Sequence, residues 1–127
     1  MGAEKEAVKQ VILDAYIKGI HTVQDKSIAK KGFHKDFKML LQQDDSMNSI
    51  GLDGWFDRIE TLKADNPDFW AQEPTYEFHS IDVRAKAASV KMDVFRGGKF
   101  FATDYLLLYK FSDGWKIVSK TFTFTAE

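Results

Sequence analysis

The sequence predicts an α+β fold in which helices precede and cover a strongly bent antiparallel sheet. Two observations support it. Three long strand-like segments, 88–96, 99–111 and 115–124, are joined by short turns that contain glycine. Earlier in the chain, apolar residues recur at helical spacing between Glu4 and Thr22. Helices first and strands last, with strands joined by tight turns, are typical of helices packed on one face of an antiparallel sheet.

Composition limits the classes of function. The 127 residues form one domain spanning 1–127, with 44% hydrophobic residues and a net charge of −1, which predicts no nucleic-acid or membrane partner. The chain has no cysteine, which excludes disulfides and thiolate chemistry, and its three scattered histidines predict no metal site. We expect no cofactor. With no apolar leader at the N-terminus, a cytoplasmic location is the default expectation, although a removed leader would leave the same sequence.

About three helices are expected in the N-terminal half. The first runs from Glu4 to about Thr22, and a short second helix, capped by Asp25 or Ser27, runs to Lys31. The third begins with Asp53 as its cap, runs to about Ala64 and is stopped by Asn66-Pro67.

The remaining segments are expected to be strands and loops. Residues 37–41 alternate as a short strand and residues 75–84 as a longer one, whereas 43–51 and 68–74 are expected to be loops.

The register of the last three strands decides which side chains face the helices. A two-residue turn at Gly97-Gly98 pairs Arg96 with Lys99 and places Lys91 opposite Asp104. A three-residue second turn, with Gly114 left-handed, keeps one face apolar and is therefore preferred to a two-residue turn. The predicted inward face is then Val90, Met92, Val94, Phe101, Thr103, Tyr105, Leu107, Tyr109, Phe111, Trp115, Ile117, Ser119 and Thr121.

A cluster of hydroxyl side chains at the middle and far end of that inward face suggests a pocket: Thr103, Tyr105, Ser119 and Thr121. A ligand or ordered water would satisfy them, although bonds to the backbone or to one another would do so too. The predicted outer face carries an apolar patch of Leu106, Leu108, Val118 and Phe122. Such patches usually mark interfaces, so we expect a homodimer that packs sheet to sheet, or else a terminal segment folded over the patch.

Several motifs resemble the NTF2-like superfamily, also called SnoaL-like or cystatin-type cones, and within it the small bacterial group named for lumazine binding. They are Tyr16-Ile17-Lys18-Gly19, Phe33-His34-Lys35-Asp36-Phe37, Thr103-Asp104-Tyr105-Leu106, Asp113-Gly114-Trp115-Lys116-Ile117-Val118 and Lys120-Thr121-Phe122. The similarity spans nearly the whole chain. It implies a cone whose curved sheet and helices enclose a pocket, usually in a dimer.

The resemblance also bears on catalysis. Superfamily members similar to ketosteroid isomerase hold a helix tyrosine, matched here by Tyr16, and two acids, where this chain has Leu41 and Leu107. Because proton abstraction needs a base near the substrate, two leucines disfavour an isomerase. His34 and Asp36 form another candidate pair, either for base catalysis or as a loop anchor. A register shifted by one residue would instead bring Asp104 into the pocket as the leading acid.

The leading hypothesis is therefore a protein that binds a small apolar or aromatic molecule. Its predicted binding residues are Tyr16, Leu41, Trp55, Met92, Thr103, Tyr105, Leu107, Ser119 and Thr121. One alternative is a dehydratase or isomerase that uses Tyr16 with His34 or Asp104. Another is a protein-interaction module that uses the outer sheet face.

Overall fold

A computed structural model of the protein describes residues 2–125 and confirms the α+β class. The helical elements are α1 (Gly2–Val11), a π-helical continuation of it (Ile12–Thr22), α2 (Lys26–Ala29), α3 (Leu52–Asp65) and α4 (Pro67–Trp70). The strands are β1 (Phe33–Gln43), β2 (Ser46–Ile50), β3 (Pro74–Arg84), β4 (Ala87–Arg96), β5 (Lys99–Phe111) and β6 (Gly114–Thr123). With the π segment counted as part of α1, the described chain has four helices rather than about three. None of them is both long and apolar enough to span a membrane.

The six strands form one curved sheet in the order β2-β1-β6-β5-β4-β3. Every neighbouring pair is antiparallel except β1 and β6, which run parallel. Register shifts interrupt the ladders β3–β4, β4–β5 and β5–β6, and such bulges bend a strand and increase its twist. The helices cover the concave face, as predicted.

The first helix matches its predicted span but widens halfway. From Ile12 it has π geometry, and beyond its end the Val23 N–H donates to the Lys18 carbonyl, five residues back, at 2.8 Å. The segment buries most of its residues, including Tyr16. Gly19 lets α2 pack against it, because a Cβ at Gly19 would lie 2.9 Å from the backbone of Ala29.

Of the predicted helix caps and loops, some are confirmed and others are wrong. Asp25 caps α2 by accepting from the Ser27 N–H at 2.8 Å, as predicted. Asp53 does not cap α3, whose N-cap is Gly51, and it pairs instead with Lys26 at 3.2 Å. Two predicted loops are wrong in part, because 43–51 contains β2 and 68–74 contains the end of α4.

The register of β4 and β5 differs from the prediction because of one bulge. The turn at Gly97-Gly98 pairs Arg96 with Lys99 as expected, but Phe101 has no partner, so Val94 pairs with Ala102. Every pair beyond the bulge shifts by one residue, and Met92, not Lys91, faces Asp104. Asp104 therefore points inward.

The second turn is also shorter than predicted. Phe111 pairs with Gly114 across two residues, not three, so the predicted pairs of Phe111 with Trp115 and of Tyr109 with Ile117 are wrong. A bulge at Val118 then restores the predicted pairs of Leu107 with Ser119 and of Tyr105 with Thr121. Lys120 thereby pairs with Leu106, which faces inward, and it is buried.

These shifts correct the predicted outer patch. Leu106 and Leu108 are core residues that are 0% and 1% exposed, and Phe122 is half-buried on the concave side. The most exposed large apolar side chains of β5 are instead Tyr105, Leu107 and Tyr109, between 46% and 55% exposed.

Candidate functional site

A cavity of about 50 Å³ lies between the helices and the concave face of the sheet. Side chains from the π segment, α3, α4, β1, β5 and β6, together with the residues after β6, surround it. They are Tyr16, Ile20, His21, Met39, Trp55, Arg58, Ile59, Leu62, Trp70, Phe101, Ala102, Asp104, Lys120, Phe122 and Phe124. Its walls are mainly aromatic and aliphatic, and four of its polar residues are buried.

Tyr16 and Asp104 form the centre of the polar side of the cavity. The π segment positions Tyr16 at 1% exposure, and β5 positions Asp104 at 0%. The Tyr16 hydroxyl donates a hydrogen bond to Asp104 Oδ2. The tyrosine that the family resemblance singled out therefore does face an acid in the cavity, and that acid is Asp104.

Lys120 is the cationic partner of Asp104. Its Nζ lies 3.5 Å from Asp104 Oδ1, and the side chain is almost fully buried. The same ammonium group lies 4.5 Å from the ring centroids of both Trp55 and Phe122, and 5.3 Å from that of Tyr16. Aromatic faces attract cations, so these three rings replace part of the hydration that Lys120 loses on burial.

Burial perturbs the protonation of all three groups. It raises the pKa of Asp104, against the Lys120 charge and the Tyr16 hydrogen bond, which lower it. It also lowers the pKa of Lys120, against the attraction of Asp104. Burial, followed by the Asp104 charge, raises the pKa of Tyr16 well above its ordinary value, so the phenol remains a proton donor. A buried acid, base and phenol with displaced pKa values are typical of functional sites.

His21 and Arg96 form a second buried polar pair beside the first. The Arg96 guanidinium donates to the carbonyls of Trp70 and Gln72, at 3.1 and 2.9 Å, and to the His21 carbonyl at 3.2 Å. It also lies 3.1 Å from His21 Nδ1. Burial, then the charges of Arg96 and Lys120, lowers the pKa of His21 well below 6.5, so its imidazole is neutral.

Two polar atoms at the cavity are buried without a hydrogen-bond partner among the described residues. They are His21 Nε2 and Asp104 Oδ1. Buried polar atoms are nearly always hydrogen-bonded, because an unsatisfied one costs about 1–3 kcal/mol. The cavity is thus polar enough at these two points to hold water or the polar groups of a ligand.

The structure places only part of the predicted binding set at the cavity. Tyr16 and Trp55 line it, while Met92 is fully buried in the core and Leu41 lines an adjoining surface groove. The other five, from β5 and β6, are not among the cavity-lining residues. They are Thr103, Tyr105, Leu107, Ser119 and Thr121.

The predicted inward orientation of these five is wrong because the bulge at Phe101 reverses the faces of β5, and Ser119 and Thr121 follow their β5 partners. Tyr105 and Leu107 are about half exposed on the outer face, and Thr121 is exposed. The Thr103 hydroxyl donates to Asp93 at 2.6 Å, and Ser119 is half-buried. Their hydroxyls therefore cannot orient a ligand in this cavity.

The candidate pair His34 and Asp36 lies outside the cavity. The Asp36 N–H donates to His34 Nδ1 at 3.0 Å, and the imidazole stacks on Phe111 at a centroid distance of 4.7 Å. The Asp36 side chain is 75% exposed. This geometry matches the loop-anchor alternative.

Three buried polar residues of the site were not predicted: His21, Arg96 and Lys120. In the sequence, His21 follows an apolar stripe, and Arg96 and Lys120 end or interrupt strands in the way that solvent-facing cations do. A usable signal existed for Arg96. It alternates with Val90, Met92 and Val94, which places it on the face already predicted to be inward.

The outer face carries the closest approach to a metal-ligand set within the described residues. Glu77, His79 and Asp93 each place one ligand atom within 4.8 Å of the others. His79 already pairs with Asp93 Oδ2 at 2.9 Å, and Thr103 occupies the other oxygen. These contacts account for the cluster as an ion-pair network.

Comparison with solved structures identifies the fold. An NTF2-like protein of unknown function from Shewanella baltica is 24% identical with a TM-score of 0.76, over 99% of this chain and 97% of that one. One from Silicibacter pomeroyi is 16% identical with a TM-score of 0.77, over 98% of both chains. A domain of unknown function with a cystatin-like fold from Nostoc punctiforme is 11% identical with a TM-score of 0.69, over 100% of this chain and 80% of that one. At these identities the likeness shows the fold.

The family follows from the sequence itself. A search of curated proteins finds no match. The model of the family described as "Putative lumazine-binding" matches residues 3–123, nearly the whole chain. The chain therefore belongs to this family, and its fold is that of the NTF2-like structures.

Proposed function

We propose that the protein binds a small planar aromatic molecule in the cavity between its helices and the concave face of its sheet. The observation that supports this most is the buried pair of Asp104 and Lys120 at a cavity whose other walls are largely aromatic. Removing two charges from water is costly, and well-packed apolar residues of similar volume are often as stable or more so. A buried ion pair at a cavity can bind the polar groups of a ligand, which gives a reason for its burial.

The cavity must widen to accept a ring. An engineered apolar cavity of about 150 Å³ binds benzene, whereas this one holds about 50 Å³. Phe122 and Phe124 lie at its edge, one half-buried and one exposed, with ring centroids 5.1 Å apart. Binding requires these two rings to move outward, and neither of them is fully buried. The ligand would then stack on Trp55 and place its polar groups toward Asp104 and Lys120.

The family description supplies a concrete first probe. Lumazine is a planar bicyclic molecule with carbonyl and N–H groups, which suits aromatic walls and a polar end. The binding test is isothermal titration of lumazine and a panel of planar heteroaromatics into the purified protein, with tryptophan fluorescence as a second readout. We expect Trp55 emission to change on binding. Tyr16→Phe removes the hydrogen bond that orients Asp104, and it should weaken ligand binding about fivefold to tenfold.

The matched control is Tyr105→Phe, which removes the same hydroxyl from the exposed outer face. It should bind as the wild type does. If no member of the panel binds the wild type, or if both variants bind equally well, the proposed pocket is refuted.

A second candidate, an isomerase or dehydratase type of enzyme, is favoured by the hydrogen bond between Tyr16 and Asp104. Tyr16 would shift its one hydrogen bond from Asp104 to a substrate carbonyl, and the freed Asp104 carboxylate would accept an α-proton to leave an enolate held by Tyr16. The test is exchange of the α-protons of 2-tetralone in D₂O, followed by proton NMR. Wild-type protein should accelerate exchange and Asp104→Asn should abolish the acceleration, whereas equal rates with both proteins would exclude this chemistry for that ketone.

The homodimer stays a prediction, as does the interaction-module alternative. The surface that either would use changes from the predicted patch to Tyr105, Leu107 and Tyr109, because Leu106 and Leu108 belong to the core.

A further inference from the structure

His21 is held in one protonation state by its neighbour. An arginine side chain has only donors and stays protonated in proteins, so where Arg96 meets His21 Nδ1 at 3.1 Å the imidazole nitrogen must accept. A neutral imidazole that accepts at one nitrogen carries its proton on the other. The contact therefore fixes His21 as the tautomer with hydrogen on Nε2.

The Nε2–H group of His21 lies at the cavity. His21 is 3% exposed and lines the cavity, and its Nε2 has no hydrogen-bond partner among the described residues. The ring is held by edge contacts with Tyr16 and Phe101, at centroid distances of 4.9 and 6.2 Å, so it cannot simply turn away. Its donor is buried and oriented, and the adjacent Arg96 charge strengthens it.

Asp104 supplies the complementary group. Tyr16 occupies Oδ2, while Oδ1 is fully buried and lacks a hydrogen bond, although Lys120 approaches it at 3.5 Å. One cavity thus presents a donor at His21 without a partner and an acceptor at Asp104 whose one close neighbour is the Lys120 ammonium group. Within the described residues, only three buried side-chain nitrogen or oxygen atoms lack a hydrogen-bond partner: these two and Arg96 Nε.

We infer that the ligand carries a hydrogen-bond acceptor beside a donor, as in a cyclic amide or imide, with its carbonyl oxygen on His21 Nε2–H and its N–H on Asp104 Oδ1. This inference rests on the proposed binding function and narrows its ligand class. A site built to hydrogen-bond such groups discriminates strongly against analogues without them, because its own buried polar atoms are then left unpaired. His21 is thus a specificity-determining residue, and Arg96 positions its tautomer.

The tautomer can be tested without any ligand. Nitrogen-15 NMR of wild-type protein labelled at histidine distinguishes a protonated nitrogen from an unprotonated one in each ring. We expect His21 to show hydrogen on Nε2 and none on Nδ1. Hydrogen on Nδ1 would overturn the inference, whatever the protein binds.

The ligand class is tested with two probes of similar shape, phthalimide and indane, of which only phthalimide has carbonyl and N–H groups. Wild-type protein should prefer phthalimide by about tenfold or more, the value of one buried hydrogen bond. His21→Phe keeps an aromatic ring against Tyr16 and leaves the backbone carbonyl of residue 21 on Arg96, and it should lose most of that preference for phthalimide over indane. His79→Phe on the outer face is the matched control and should keep the preference.

The outcomes separate this inference from the function on which it rests. Equal binding of both probes by the wild type, or an unchanged preference in His21→Phe, would overturn the imide assignment and leave aromatic binding intact. Failure of these probes and of every heteroaromatic in the panel would overturn the proposed function and the assignment with it. A folded His21→Phe is not essential, because the wild-type preference and the NMR measurement each decide by themselves.

Discussion

The buried pair of Asp104 and Lys120 gives the sharpest prediction, since each charge depends on the other. In Lys120→Met the carboxylate loses its cation but keeps the hydrogen bond from Tyr16. In Asp104→Asn the ammonium group keeps its aromatic contacts but loses its anion. Breaking a buried pair in this way typically costs about 3–5 kcal/mol.

Each single variant can limit its loss of stability by neutralising the charge that is left without a partner. The free energy of that protonation change, which depends on pH, is the largest loss expected. Protonating Asp104, from an unfolded-state pKa of about 3.9, costs about 4 kcal/mol at pH 7 but only about 1.5 kcal/mol at pH 5. Deprotonating Lys120, from about 10.4, costs about 4.6 kcal/mol at pH 7 and about 2 kcal/mol at pH 9. Acid should therefore rescue Lys120→Met, and alkali should rescue Asp104→Asn.

The assay is urea unfolding of the wild type, both single variants and the double variant at pH 5, 7 and 9. At pH 7 each single variant should lose several kcal/mol, up to the cost of that protonation change, and the double variant should return to within about 1 kcal/mol of the wild type, because no buried charge is left unpaired. The reasoning is refuted if Lys120→Met is as stable as the wild type at pH 7. It is refuted equally if both single variants respond to pH in the same direction.

Three further predictions follow from the described contacts. Because the pKa of His21 is depressed in the folded protein, it contributes stability that is present above its unfolded-state pKa of about 6.5 and is lost below it. Lowering the pH from 7 to 5 should therefore reduce the free energy of unfolding of the wild type by about 2 kcal/mol more than that of His21→Phe, as measured by urea unfolding. Gly19→Ala should destabilise the fold by about 1–3 kcal/mol, because the new Cβ would meet the backbone of Ala29. Gly54→Ala, whose Cβ would make only ordinary contacts in α3, should stabilise the fold by up to about 1 kcal/mol. Thermal unfolding of both variants measures the difference. Leu107→Ser on the outer face should change monomer stability by less than about 0.5 kcal/mol and weaken the predicted dimer in sedimentation experiments, and an unchanged association constant would exclude this residue from the interface.

Turn chemistry and periodicity predicted most of the fold because their causes are local. The glycines at 97 and 98 both have positive φ, and the hairpin that they form starts in the predicted register. Asp25 caps α2 as its residue type suggests, and the apolar stripe from Glu4 predicted the long first helix. The π geometry of its second half has no comparable local signal, because it depends on packing.

The site was harder to predict for a physical reason that β5 makes plain. A side chain's face depends on counting residues from the turn, and one unpaired residue at Phe101 reverses that count for the rest of the strand. No short sequence pattern marks the bulge. Asp104 was accordingly expected on the solvent side, opposite Lys91, and the pocket was assigned to Tyr105 and Leu107.

Lys120 shows the limit of a preference for an apolar inward face. The three-residue turn was preferred because it kept Lys120 off that face, yet Lys120 pairs with Leu106 as that turn implies, and it is buried because the bulge at Phe101 turns Leu106 inward. The observed register instead accepts a buried lysine and a buried aspartate, each costly by itself, and places both at the cavity. Sequence rules that maximise stability therefore misplace residues whose burial is costly. Lys120 and Asp104, the pair that broke the rule, are therefore the first residues to test for function.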